Sequence, residues 1–309
     1  MAKVFASIGE CMVELSGAGD GLYRRGFAGD TLNTAWGVRG LSPDDAVSVR
    51  YVSRVGTDAL SDEMVRFAAA AGIDTAHVGR DPVRTVGLYM ITLQGAERSF
   101  SYWRDAAAAR RLAADRGALE AALADADMVY FSGITLAILP PEDRPTLFTA
   151  LADARARGAV IAFDANVRLR LWPDADAARA GLSDGYRAAT IALPTHPDER
   201  DLFGDRSPEA TARRIAALGV PEVVVKDGAD PATLFADGGL TSHPAERVDD
   251  AVDTTGAGDG FNAGYLAARL AGRSPVEAAL LGHRVAARII RSRGALIGLD
   301  ALAAVAAGA

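Results

Sequence analysis

Apolar and polar positions along this chain fall into blocks of two kinds. Short apolar runs rich in β-branched residues recur at 4–8, 49–52, 128–131, 160–163, 190–193 and 223–225. Between most of them lie longer stretches rich in Ala, Leu, Arg and Glu, with helical periodicity, as at 62–71, 142–157 and 208–218. The first kind predicts buried strands and the second amphipathic helices. Strands alternating with helices of that length predict βαβ units, hence an α/β fold whose mostly parallel sheet is covered on both faces. Ligands of such sheets collect beyond the carboxyl ends of the strands.

Two regions, 10–27 and 83–104, break the alternation with strand-like runs and no helix between them. In the second, residues 86–93 and 99–102 flank Gly95-Ala96-Glu97, which predicts a hairpin. An ordinary edge extension of the main sheet is one reading of these regions. Being discontinuous yet similar in character, they are better read as a small separate sheet. The expected division is a large α/β domain of residues 1–9, 28–82 and 105–309, and a small β lid of residues 10–27 and 83–104. A projecting sheet has open edges that proteins tend to cover, so a homo-oligomer joined through the lids is expected.

Composition narrows the function classes. The chain has 309 residues, 50% of them hydrophobic, which is ample for a large core. A net charge of −7 argues against nucleic acid as the main partner, because phosphate binding wants a basic face. A small anionic ligand needs only a local cationic pocket and stays open. The single cysteine, Cys11, rules out an internal disulfide framework and suits a reducing compartment. No apolar run is long enough to span a membrane, and residues 1–8 lack the form of a signal peptide, so a cytoplasmic protein is expected. The histidines, His77, His196, His243 and His283, show no spacing suggestive of zinc.

The chemistry concentrates in Asp253-Thr254-Thr255-Gly256-Ala257-Gly258-Asp259, after which Phe261, Tyr265 and Leu270 are spaced to share a helix face. The glycines therefore sit at a helix start, where backbone N–H groups and the positive dipole end attract an anion. Asp259 could be a plain first-turn acid that favours the helix start. That does not explain the small residues before it. A phosphoryl-transfer site needs donors for developing charge and a carboxylate to orient or deprotonate the attacking hydroxyl, and this segment supplies both within one turn. The Gly-x-Gly-x-Gly spacing, late in the chain, is a poor dinucleotide fingerprint, and no Gly-Lys-Ser/Thr follows to make a P-loop.

Residues 253–259 resemble the C-terminal signature of the PfkB, or ribokinase, family of carbohydrate kinases. Gly29-Asp30-Thr31-Leu32-Asn33-Thr34-Ala35 resembles that family's glycine-plus-asparagine sugar-binding element, with Ala28 standing where many relatives have a second glycine. Read alone, this element is a weak signal that helix capping would explain equally well. The resemblance implies a ribokinase-like fold and ATP-dependent phosphorylation of a sugar. It implies Asp259 as the catalytic base, and the backbone of Gly256, Ala257 and Gly258 as the anion hole for the transferred group. Gly29, Asp30 and Asn33 would hold the sugar.

Strings such as Gly9-Glu10-Cys11-Met12-Val13-Glu14-Leu15, Tyr102-Trp103-Arg104 and Asp164-Ala165-Asn166-Val167-Arg168 look closest to the branch of the family that phosphorylates 2-keto-3-deoxygluconate. A guanidinium grips a carboxylate bidentately, and aromatic hydroxyls can bind sugar oxygens while their rings cover carbons. By resemblance Tyr89, Tyr102 and Arg104 hold the sugar acid from the lid. Arg168 lies between sugar acid and ATP phosphates, with Asn166 nearby, and Arg170 is expected to be merely exposed. Strand packing would otherwise explain the tyrosines, and a solvated rim position Arg104. Lys226-Asp227-Gly228-Ala229 would form the nucleotide loop, although Lys226 could be only a strand-end charge. Mg2+ is expected with ATP, but Thr195 and Asp198 stand in place of the family's Asn and Glu, so which residue orients the ion is open. A kinase for a neutral sugar or another keto-deoxy acid, and a non-catalytic sugar-acid binding protein, are the alternatives.

Overall fold

The computed structural model describes residues 2–94 and 97–308. Among the described residues thirteen strands form two sheets. In chain order they are β1 Lys3–Ile8, β2 Met12–Gly19, β3 Leu22–Ala28, β4 Val47–Val55, β5 Val78–Arg80, β6 Gly87–Gln94, β7 Glu97–Trp103, β8 Met128–Ser132, β9 Val160–Asp164, β10 Ile191–Ala192, β11 Glu222–Asp227, β12 Asp230–Ala236 and β13 Gly239–His243.

The large sheet runs β13-β12-β11-β10-β9-β8-β1-β4-β5. Every pair from β11 to β5 is parallel, and only β12 and β13 run against their neighbours. Period-two alternation explains the burial of both faces. In β8, Met128 and Tyr130 join one apolar cluster while Val129 and Phe131 join the other. Helices Asp30–Leu41, Ala59–Ala70, Ala257–Leu270 and Pro275–Ile289 cover the first face. Helices Arg144–Ala156, Ala175–Ala188 and Pro208–Ala216 cover the second. The strands and helices expected from the pattern are all present. The run at 190–193 contributes the least, two residues of ladder, with an isolated bridge from Thr195 to Lys226 just beyond it.

The segments that broke the alternation form a separate sheet of four strands, ordered β3-β2-β6-β7. β2 pairs parallel with β6, which joins the two discontinuous segments, and β6 pairs antiparallel with β7 as a hairpin requires. The turn expected at Gly95-Ala96-Glu97 falls on 95–96, outside the described residues. Tyr89, Phe100 and Tyr102 stack on one face of this sheet. Leu22, Tyr23 and Trp103 stand more than half exposed, at 67%, 51% and 58%. Among the described residues no helix is long and apolar enough to cross a membrane.

Candidate active site

The carboxyl ends of β8 to β11 and the start of helix Ala257–Leu270 open into one cleft of about 960 Å³, faced from the other side by Met12, Tyr89, Phe100 and Tyr102. This is the edge where open α/β sheets collect ligands. At its floor, Gly256 caps the helix with φ 77°, in the left-handed region that a Cβ disfavours. A side chain there would also meet Ala295 at 2.7 Å. Ala257, Gly258 and Asp259 line the cleft from the helix's first turn, whose amides lack partners within the helix.

Asp259 accepts a hydrogen bond from Asn33 Nδ2 at 2.8 Å. Asn33 Oδ1 in turn accepts at 3.4 Å from the N–H of Gly29, the residue at the start of helix Asp30–Leu41, so one amide ties that helix start to the carboxylate. No side chain caps this helix, so capping does not explain Asn33. Gly29 is required by closeness, since a Cβ would lie 2.2 Å from the Glu10 carbonyl, whereas Ala28 fits with its methyl buried. Asp259 is half-buried, and the surrounding protein replaces water closely enough to push its carboxyl up to about 7. Burial is the largest cause, the nearby Asp30 carboxylate the next, and the Asn33 bond works in the opposite direction.

Asp30, buried, accepts from Asn166 Nδ2 at 2.8 Å. Asn166 sits at φ 34°, a left-handed conformation that asparagine tolerates better than most residues, and its N–H donates to Asp164 at 3.0 Å. This kink after β9 carries the chain to Arg168, whose exposed guanidinium lines the cleft and donates to the Val167 carbonyl at 2.7 Å. Asp198 lines the same wall, accepts from Val167 N–H at 3.2 Å, and has its carboxyl raised by burial against the attraction of Arg168. Among the described residues no cluster of three or more His, Cys, Asp or Glu forms a metal site.

Four sequence expectations change here. Lys226 is buried and donates to Asp164 Oδ2 at 2.8 Å and Asn262 Oδ1 at 2.9 Å, so its ammonium braces the floor as well as lining the cleft. Ala229 is exposed in the two-residue turn between β11 and β12 and does not line the cleft, unlike Asp227 and Gly228. Arg104 is no rim charge: it is buried and paired with buried Glu10, though it still lines the cleft beside Tyr102. Arg170 is exposed but not idle, for its guanidinium carbon stands 3.7 Å above the Tyr102 ring and links the β9 loop to the small sheet. Tyr89 stacks on Tyr102, and its hydroxyl donates to Glu14. His196, in the first turn of helix His196–Phe203, is buried against Thr211.

Asp164, Asn262 and Glu10 were given no role from the sequence, and Asp198 was named only as a stand-in beside the expected magnesium. Asp164 carried a usable signal, as an acid closing an otherwise apolar strand. Asn262 and Glu10 carried none, since their partners lie 98 and 94 positions away.

The sequence profile of the pfkB family carbohydrate kinases matches residues 2–302. The chain is 42% identical over 308 residues to the 2-dehydro-3-deoxygluconokinase of Dickeya dadantii (strain 3937), covering 98% of this chain and 99% of that protein. It is 41% identical over 310 residues to the 2-dehydro-3-deoxygluconokinase of Escherichia coli (strain K12), covering 98% and 100%. The crystal structure of a PfkB protein from Polaromonas sp. JS666 superposes with a TM-score of 0.85 at 28% identity, covering 99% of each chain. With the glycine-capped helix, the carboxylate at its first turn and the parallel sheet that presents them, these likenesses place the chain in the pfkB family of carbohydrate kinases.

Proposed function

We propose that this carbohydrate kinase transfers a phosphoryl group from ATP to the terminal hydroxyl of 2-keto-3-deoxygluconate, giving the 6-phosphate and ADP. The observation that carries the substrate class is that two guanidinium groups, Arg104 and Arg168, line the same cleft as Asp259. A sugar acid supplies a carboxylate that a guanidinium can hold, even one already paired on another edge as Arg104 is with Glu10, whereas a neutral sugar does not. The relatives named above support this choice over a neutral sugar.

In this reading Asp259, held by Asn33, takes the proton of the attacking hydroxyl. The hydroxyl oxygen forms the bond to the terminal phosphorus as the bond to the leaving diphosphate breaks. Backbone donors of Gly256, Ala257 and Gly258 face the charge that develops on the transferred group. Asp30 and Gly29 border the sugar, and Tyr89 and Tyr102 cover it from the small sheet, which serves as a lid. Arg168 and Asn166 stand between the sugar acid and the phosphates.

The nucleotide fits the remaining wall. Phe261, Ala286 and Ala295 give it an apolar end suited to a base, with Thr254, Thr255 and His283 beside them, and Gly228, at φ 62° with open space around it, admits close approach. Magnesium fits as an ion held by phosphates and water, because no protein cage is present among the described residues and Asp198 and Asp164 offer only scattered oxygens. When bound it would neutralise phosphate charge. Exposed Leu22, Tyr23 and Trp103 on the small sheet support pairing of two copies through their lids.

The test is ADP release with Mg-ATP, comparing 2-keto-3-deoxygluconate, 2-keto-3-deoxygalactonate, fructose and ribose. Preference for the gluconate acid is expected. Good turnover of fructose or ribose without turnover of either acid overturns the substrate. Turnover of none, with sugar-acid binding retained, would make the chain a binding protein. In Asp259→Asn, turnover should fall by about 10²–10⁴-fold, the usual worth of a general base, while sugar-acid binding persists.

A further inference from the structure

The chain passes between its two sheets four times, and the passages meet at one buried carboxylate. Residues 9–11 lead from β1 to β2, Gly29 leads from β3 back to a helix, Gly87 opens β6, and Arg104 follows β7. Glu10, 2% exposed, touches all the others. Its Oε2 accepts from Arg104 Nη2. A Cβ on Gly87 would lie 2.8 Å from its Oε1, and a Cβ on Gly29 would lie 2.2 Å from its carbonyl oxygen.

Burial of this kind is costly. Taking both charges out of water offsets most of their mutual attraction, so the pair is poor evidence for stability alone. It is also incompletely satisfied, since Glu10 Oε1 and Arg104 Nε are buried without a hydrogen-bond partner. Burial pushes the Glu10 carboxyl up; the Arg104 guanidinium opposes that rise most, and Arg110 adds to the opposition. An apolar pair would close the same joint at less cost. A charged pair is explained if the guanidinium is needed at the cleft and must be held there.

We propose that Glu10 is a positioning residue at the pivot of the small sheet: it fixes Arg104 in the orientation that presents its guanidinium to a substrate carboxylate, and thereby couples acid recognition to the placement of the small sheet over the cleft. The proposal rests on the reading of the substrate as a sugar acid, and deepens it by assigning a role to a residue that does not itself touch the sugar.

The test is a double-mutant cycle of Glu10→Gln, Arg104→Gln and the double variant, reading KM for 2-keto-3-deoxygluconate, KM for ATP, kcat and Tm. Glu10→Gln keeps the shape and removes the charge. It is expected to raise the sugar-acid KM about tenfold, the scale of one charge-assisted hydrogen bond, with KM for ATP and kcat within about threefold. The double variant should match Arg104→Gln, because Glu10 acts through Arg104. A Glu10→Gln variant with lowered Tm and unchanged sugar-acid KM overturns the proposal, as does a double variant whose KM is the product of the two single effects. Should Glu10→Gln fail to fold, the double variant, free of the uncompensated charge, still decides by its KM against Arg104→Gln, and Glu10→Asp should give an intermediate KM. The substrate panel on the wild type decides the sugar-acid reading separately. If a neutral sugar is preferred, the cycle is run on that sugar, and an unchanged KM in all three variants overturns the role of Glu10.

Discussion

In the proposed reading Asp259 is the base, and its carboxyl near 7 makes the pH dependence of this kinase a readout of its cleft. Below about pH 6, kcat/KM should fall tenfold per pH unit as Asp259 protonates, because this ratio reports ionisations of the free enzyme. At pH 5.5 a carboxyl near 7 is only about 3% ionised, giving roughly a thirtyfold loss, whereas an ordinary aspartate near 3.9 would be almost fully ionised. Asp30 is the largest charged contributor to that rise, so Asp30→Asn should move the limb to lower pH. Asp30 and Asn33 lie on the same helix with side chains about 5–6 Å apart, as i,i+3 neighbours do. Asn33 bridges on to Asp259 at 2.8 Å. Two carboxylates sharing a site of this size interact by roughly 2 kcal/mol at an effective dielectric constant of about 20, and about half that once water in the cleft screens them. The expected displacement is roughly one pH unit, about 1.4 kcal/mol. Asparagine keeps an acceptor for Asn166, so the limb moves even if the plateau drops. The assay is initial rate against pH from 5 to 9 at subsaturating sugar acid and saturating Mg-ATP. Ionisation of the nucleotide is common to both proteins and cancels in the comparison. A wild-type profile flat to pH 5 would refute the account of Asp259, and an unmoved limb in Asp30→Asn would refute the coupling.

The other outcomes concern the walls of the cleft. Arg170→Ala removes the cation over Tyr102, about 1 kcal/mol at a partly exposed site, and should raise the sugar KM about fivefold, with Arg170→Lys milder. An unchanged KM would leave the stack without a role. Lys226→Met strands the buried Asp164 carboxylate and should cost about 3–5 kcal/mol in denaturant unfolding. If Lys226 were chiefly a phosphate ligand, KM for ATP would rise with stability intact. Gly29→Ala forces a methyl to 2.2 Å from the Glu10 carbonyl and should destabilise by about 1–3 kcal/mol in thermal unfolding. No loss would mean that the joint between the sheets can yield.

The sequence by itself determined the fold class and the separate sheet, and it marked the segment proposed for phosphoryl transfer. These rest on local physics: apolar periodicity, breaks in that periodicity, and small residues before an acid at a helix start. Asp259 and the glycines before it needed only their neighbours in sequence to be proposed as site residues. What Arg104, Arg170, Lys226 and Glu10 do was decided by tertiary structure alone. Each is a charge whose meaning depends on its partner, and the partners, Glu10, Tyr102 and Asp164, lie 62 to 94 positions away or across two sheets. Chain-local patterning sets which face of an element is buried. It cannot set which buried charge meets which, because that depends on how the two sheets come together at their four crossings.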